Sequence, residues 1–223
     1  MKADVRMAIV DGVRTPFSKM GTELASLSAD ELGSVAVKAL LTKTGLDPAI
    51  VDEVIFGCVS QPAEAMNVAR VIGLRSGIPE SVPAVTVHRN CASGFESLTT
   101  AYERMRAGRG EVFVVGGAES MSQAPWLYHM ATIAKFAALS KARSIGARLA
   151  AMVAFRPKDF TPLIGLRLGL TDPVSGLNMG ETAEILAREN DISREAQDAF
   201  ALRSHLRAAA SRDVLSEEIV PVF

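Results

Sequence analysis

Short apolar runs alternating with amphipathic helical patterns constrain this chain more than any other feature. Met7 to Val10, Val54-Ile55-Phe56, Val82 to Val87 and Val112 to Val115 are runs of strand length, and Ile219 to Phe223 reads as the start of a further strand. Helical patterns lie between them. Ser28 and Glu31 have capping-box spacing, and Leu32, Val35, Ala36, Ala39 and Leu40 then recur as one apolar stripe that Gly45 closes. Asn67 to Leu74 reads as a short helix, and Phe95, Leu98, Thr99, Tyr102 and Met105 share a helical spacing. Strand–helix alternation of this kind predicts an α/β layer structure with a largely parallel sheet.

One junction carries chemistry. Asn90-Cys91-Ala92-Ser93-Gly94-Phe95 joins a buried-strand pattern to a helix, which puts Cys91 at the turn with first-turn N–H groups pointing back towards it. Such donors and the helix dipole favour thiolate over thiol. The small residues Ala92, Ser93 and Gly94 let a substrate approach closely. The same position also suits a small buried hydrophobe, and the residues alone leave both readings open.

Composition narrows the field. Nearly half the residues are apolar and the net charge is -1, so nothing points to a nucleic-acid partner. Two cysteines without paired spacing argue against a disulfide framework or a structural zinc site. No apolar leader precedes Met7 and no uncharged stretch has membrane-spanning length. The expectation is a reducing, cytoplasmic location, or the mitochondrial matrix in a eukaryote.

Several blocks together resemble the thiolases, the acyl-CoA C-acyltransferases. Pro83 through Gly94 is similar to the family's active-site segment, and Arg14-Thr15-Pro16-Phe17 to its N-terminal one. Gly57-Cys58-Val59-Ser60-Gln61 with Asn67-Val68-Ala69-Arg70 resembles a second block, and Gly116-Gly117-Ala118-Glu119-Ser120-Met121-Ser122 the Gly-Gly-x-Glu-x-Met-Ser signature. Asn178 through Glu184, and Ile192-Ser193-Arg194-Glu195 through Ser204-His205, continue in register. The resemblance implies the N-terminal half of a thiolase-like fold: a mixed, largely parallel sheet with helices on both faces, plus a helical loop-domain insertion. Residues 1–122 and 179–223 are expected to form the N-terminal domain and 123–178 the insertion. The C-terminal domain, with the family's catalytic histidines and second reactive cysteine, is expected to be absent, because thiolases are about twice this length.

The implied activity is acyl transfer on 3-ketoacyl-CoA, by thiolytic cleavage or the reverse condensation, in fatty acid metabolism and β-oxidation. Cys91 is the expected acyl-thioester nucleophile. Met179 and Gly180 match the segment that lines the family's acyl or pantetheine pocket, although a Met starting a helix also suits a core. Asn178 departs from the His of short-chain members. His88, where many members have Asn, lies on the other strand face from Val87 and Arg89. It reads either as a neighbour of the site or as a hydrogen-bonded core histidine. Cys58 reads as a buried packing residue, Glu119 as a carboxylate capping backbone donors, and His129 and His205 as surface groups. Coenzyme A is expected as a substrate, with no permanently bound cofactor and no metal.

After Glu119, seven basic residues (Lys135, Lys141, Arg143, Arg148, Arg156, Lys158, Arg167) and one acid, Asp159, precede Thr171. This interval resembles the β-subunits of fatty-acid oxidation complexes. It reads as a solvated helical excursion, or as a basic amphipathic surface at residues 123–170 for a membrane or a complex partner. The other expected partners are acyl-CoA and CoA, a complementary C-terminal half, and further copies of the chain. The alternative to an acyltransferase is a non-catalytic CoA-binding or subunit-interaction module derived from a thiolase; a ketosynthase or sterol-carrier branch of the same fold is the third reading.

Overall fold

The computed structural model describes residues 6–223. The segment Met1-Lys2-Ala3-Asp4-Val5, read above as lacking an apolar leader, lies outside the described residues. Contacts divide the chain into two units, residues 1–123 with 193–223, and residues 124–192. The helix that begins at Met179 falls in the second unit, whereas the sequence reading returns to the first domain at 179.

The first unit is built on a parallel sheet. Helix α1 (Ala29–Thr44) opens with the expected capping box of Ser28 and Glu31 and closes on Gly45 at φ 65°. Strand β1 (Glu53–Gly57) follows, then α2 (Val68–Arg75), whose N-cap Asn67 accepts from the Arg70 N–H. Strand β2 (Ala84–Val87), helix α3 (Ser93–Arg106) and strand β3 (Phe113–Gly117) complete the set. The strand order is β2-β1-β3, all parallel. Helix α2 packs on β1 and β2, and α3 on β1 and β3, while α1 covers α2. The two crossovers lie on opposite faces, as right-handed connections running in opposite directions require.

Register explains the core. Val54, Phe56 and Cys58 face α1 and α2 and join a cluster with Val37, Ile72 and Val114. Ile55 and Gly57 alternate to the α3 side. There the helix applies only small side chains to the sheet, since its buried residues are Ser93, Ser97 and Ala101. The predicted stripe of Phe95, Leu98, Thr99, Tyr102 and Met105 is therefore not the face that packs, and Phe95 is 68% exposed. Helix α1 shows the same inversion. Gly33, Ser34, Val37 and Leu41 are buried, while Leu32, Val35, Ala36, Ala39 and Leu40 are only half-buried. Gly33 explains the choice, because a Cβ there would lie 2.3 Å from Ile72 Cδ1.

Two strand expectations fail. Residues 7–10 form no strand, and Ile9 and Val10 are exposed. The predicted start of a strand at Ile219 to Phe223 gives only an isolated bridge between Arg14 and Ile219. It is closed by the Arg14 N–H to Glu218 O and the Val220 N–H to Arg14 O, both at 2.8 Å. A strand exists through a ladder of hydrogen bonds to a neighbour; among the described residues, 7–10 belong to no strand, and 219–223 have only this single bridge to Arg14.

The second unit is mostly helical. It contains β4 (Trp126–Leu127), α4 (Met130–Lys141), α5 (Ile145–Val153), β5 (Leu163–Ile164), α6 (Gly165–Gly169) and α7 (Met179–Glu189). β4 and β5 pair antiparallel. Phe136, Phe155 and Phe160 form a run of ring contacts, and the buried Asp159 accepts from Lys135, Thr132 and the Arg156 N–H. The chain returns to the first unit through α8 (Arg194–Ala210) and α9 (Arg212–Ser216).

Candidate active site

Both cysteines sit at the carboxyl edge of the parallel sheet, the edge where open α/β sheets bind ligands. Cys58 directly follows β1, and its N–H donates to Val87 O at 3.2 Å. Its side chain points into the α1–α2 core, leaving the residue 1% exposed. Burial, with the negative charges of Glu119 and Asp30 adding to it, pushes its thiol up to about 12. It is a packing residue, as expected.

Cys91 follows β2 and is exposed. The turn that presents it begins at Asn90, which holds φ 46°, a left-handed conformation that asparagine tolerates better than most residues. Several bonds fix this turn. The Ser93 hydroxyl accepts from the Arg89 N–H at 2.8 Å and donates to Asn90 O at 2.6 Å. The Ala92 and Ser93 N–H groups donate to Arg89 O and Asn90 O, each at 3.0 Å. Arg89 also grips Glu96 through two nitrogens, at 2.6 and 2.9 Å. Two of the helix-head donors expected to face Cys91 are thus used inside the turn. The N–H groups of Gly94 and Phe95 have no partner among the described residues.

Three glycines bring this helix head down onto the sheet. Gly57 and Gly117 pair across β1 and β3, and Gly94 lies over them. A Cβ on Gly57 would meet the Ser93 carbonyl carbon at 2.2 Å and Gly94 N at 2.6 Å; one on Gly117 would meet Gly94 Cα at 3.0 Å. No side chain other than hydrogen fits at Gly57 unless the helix head moves. The sequence marks Gly57 and Gly117 only as family motif and reads Gly94 as room for a substrate; their close approach to one another is visible once the strands are paired.

Glu119 accepts from the Val59 and Ser60 N–H groups at 2.8 and 3.0 Å, which is the capping role read from sequence. His88 lies one residue beyond β2 and is exposed, so it is not a core histidine. Its Nδ1 accepts from the Asn90 N–H at 3.4 Å, next to the turn residue that precedes Cys91. Met179 starts α7 and is 57% exposed, which removes the core reading for it. Asn178 and Glu181 form a capping box around Met179 and Gly180. Beside them an open cavity of about 410 Å³ is lined by Leu166, Arg167, Leu170, Thr171 and Asn178 among others. Cys91 and His88 belong to the first unit, Met179 and Gly180 to the second. His129 and His205 are exposed. No group of three or more His, Cys, Asp or Glu among the described residues is placed to hold a metal ion.

An exposed thiol at a rigid strand-to-helix turn, with unpaired backbone donors beside it, is an arrangement for nucleophilic attack on a carbonyl. Comparison with known proteins shows the family. A family profile described as "Thiolase, N-terminal domain" matches residues 7–223. A 3-ketoacyl-CoA thiolase of Aliivibrio fischeri is 37% identical over 220 residues, covering 98% of this chain and 49% of that protein. Among solved structures, the Bacillus anthracis acetyl-CoA acetyltransferase superposes with a TM-score of 0.79 at 30% identity, covering 94% of this chain and 49% of that one. The human mitochondrial 3-ketoacyl-CoA thiolase in complex with CoA gives 0.77 at 34%, with the same coverage. The chain spans about half the length of the curated relatives it matches.

Proposed function

Because this chain belongs to the thiolase family, through its N-terminal domain, we propose that it supplies the nucleophilic half of a C-acyltransferase acting on 3-ketoacyl-CoA. The observation that carries the reading is Cys91, exposed at the head of α3 on the carboxyl edge of the sheet. Its thiolate attacks the C3 carbonyl of the substrate. The C2–C3 bond then breaks, its electron pair leaves as the enolate of acetyl-CoA, and that enolate is protonated. The acyl group stays on Cys91 as a thioester until the thiol of a second CoA takes it and frees the cysteine. Thioester exchange suits a soft nucleophile, and the enolate needs oxyanion donors and a proton source. Those last duties fall to a complementary C-terminal half, in keeping with the half-length match.

CoA is a substrate here and not a resident cofactor. The relative solved with CoA supports CoA binding, and Met179 and Gly180, beside the second-unit cavity, are the proposed contacts for its acyl or pantetheine chain. Residues 123–178 act as the inserted loop domain. Free thiols fit a reducing compartment, and β-oxidation is the proposed setting. No helix among the described residues is long and apolar enough to cross a membrane.

Phe95 on α3 and Phe200, Leu202 and Leu206 on α8 are exposed, and these apolar side chains are the proposed contacts for the C-terminal half. Without that half the chain is expected to dimerise or aggregate; sedimentation as a stable monomer would contradict this. A second reading concerns α5, which exposes Ile145, Leu149, Met152 and Val153 beside Lys141, Arg143 and Arg148. That pattern fits an anionic membrane surface. Co-sedimentation with phosphatidylglycerol vesicles and not with phosphatidylcholine vesicles supports it, and binding to neither removes it.

Turnover of acetoacetyl-CoA and of a longer 3-ketoacyl-CoA with free CoA, beside Cys91→Ala, tests the main reading. Activity on addition of a C-terminal thiolase half, abolished by Cys91→Ala, is the expected result. Activity that survives Cys91→Ala overturns it. CoA binding without turnover in the completed assembly favours the non-catalytic module.

A further inference from the structure

We propose that Ser93 is a positioning residue for the nucleophile: its buried hydroxyl holds Asn90 in the left-handed conformation and so presents Cys91 at the head of α3. This rests on the reading of Cys91 as the acyl acceptor and deepens it.

Ser93 is 4% exposed, and a hydroxyl at that depth must find partners within the protein. It finds two, and they are the two residues that lead into Cys91. The hydroxyl accepts from Arg89 N–H at 2.8 Å and donates to Asn90 O at 2.6 Å, so its proton and a lone pair are both committed. The peptide unit between Arg89 and Asn90 is the one that must turn for the chain to leave β2 and enter α3. Asn90 reaches φ 46° there, a conformation with a steric cost for any residue carrying a Cβ, and it persists only where the surroundings hold it.

The helix head cannot slide to relieve that cost. Gly57 already touches the Ser93 and Gly94 backbone so closely that a single added methyl would collide with it. Ser93 is thus pinned from the sheet side, and its hydroxyl passes that fixed position on to the turn. The residue at the head of a helix usually has its side-chain cap at the N-cap position, but the N-cap here is Ala92, with no side-chain bond. Ser93 does the organising from one position further in.

Ser97 provides the control. It lies one turn along the same helix, is fully buried, and its hydroxyl donates to Gly94 O at 2.6 Å and not to Arg89 or Asn90. A general loss of helix packing affects both serines alike, whereas a positioning role belongs to Ser93 alone.

The test is the rate of Cys91 carboxamidomethylation by iodoacetamide in the native chain between pH 6 and 9, read by peptide mass mapping, for wild type, Ser93→Ala, Ser93→Thr and Ser97→Ala. Ser93→Ala is expected to slow labelling at neutral pH by about tenfold and to move the pH profile, with Ser93→Thr recovering part of the rate. Ser97→Ala keeps the wild-type profile, whatever it does to unfolding. An unchanged profile in Ser93→Ala, or equal changes in Ser93→Ala and Ser97→Ala, overturns the proposal. Should Ser93→Ala fail to fold, the exposed Asn90 reports the same geometry. Asn90→Ala is expected to slow labelling while Asn90→Gly preserves it, and equal rates for the two overturn the proposal. A wild-type Cys91 that labels no faster than a cysteine in an unfolded peptide counts instead against the nucleophile reading itself, so the two failures are distinguishable.

Discussion

The two cysteines end neighbouring strands at the same edge of one sheet, yet their surroundings make them chemically opposite. Cys58 continues the β1 register into the α1–α2 core, beside Glu119 and Asp30, and its thiol is pushed up to about 12. Cys91 leaves β2 through a left-handed turn and emerges into solvent at the head of a helix. The left-handed turn at Asn90, and not the identity of the side chain, separates a buried packing group from the exposed thiol proposed as the nucleophile. Reactivity at such an edge is set by whether the chain continues its pleat or turns away from it.

Exchanging each cysteine separates the two regions most sharply. Cys91→Ala is expected to abolish acyl transfer in the completed assembly and all rapid alkylation. Cys58→Ala is expected to leave both intact and to lower stability by about 1 kcal/mol in urea unfolding, the scale of a small core truncation. Loss of Cys91 reactivity in Cys58→Ala would mean the two regions are not independent.

Gly57→Ala bears on both, because Gly57 joins the strand of one cysteine to the helix of the other. The added methyl would drive the α3 head off the sheet, at a cost of about 1–3 kcal/mol, and slow Cys91 labelling with it. A Gly57→Ala chain with native stability would refute the close packing described here.

Glu119→Gln acts on the Cys58 side alone. It weakens the acceptor for the Val59 and Ser60 N–H groups, costing about 1 kcal/mol, and removes one of the negative charges that raise the Cys58 thiol. Cys58 should therefore titrate lower in the variant, by thiolate absorbance, with Cys91 labelling unchanged.

The smallest effect lies at the far edge of the sheet. Asp52 accepts from the Glu111 and Val112 N–H groups, which hold its carboxyl below the ordinary value. A lowered folded value stabilises the protein above the unfolded value and loses that contribution as pH falls through the folded one. Asp52→Asn should thus be less stable than wild type at pH 7, with the gap closing below about pH 4 in urea unfolding. A gap that widens in acid would have the wrong sign.

Much of this was legible in the residues. The Ser28 and Glu31 cap, the Asn67 helix start, three of the five predicted strands and the strand–helix placement of Cys91 follow from local patterns that tertiary packing did not override. The buried helix faces differ from the apolar stripes for one physical reason. Periodicity seeks large apolar residues, whereas α1 and α3 meet their neighbours through Gly33, Ser34, Ser93 and Ser97, where closeness matters more than side-chain size. Residues 7–10 and 219–223 carry strand-like sequence, but sequence cannot supply a neighbouring strand. The Ser93 bridge and the Arg89–Glu96 grip were hidden because they depend on a turn whose backbone angle no residue pattern announces.

The most direct measurement is the ratio of Cys91 to Cys58 alkylation in the native chain at pH 7, by peptide mapping after brief iodoacetamide exposure. With the Cys58 thiol at about 12, about one molecule in 10⁵ carries its thiolate at that pH, so a single adduct on Cys91 is predicted. Comparable labelling of both thiols, or labelling of Cys58 first, would contradict the division of roles on which the account rests.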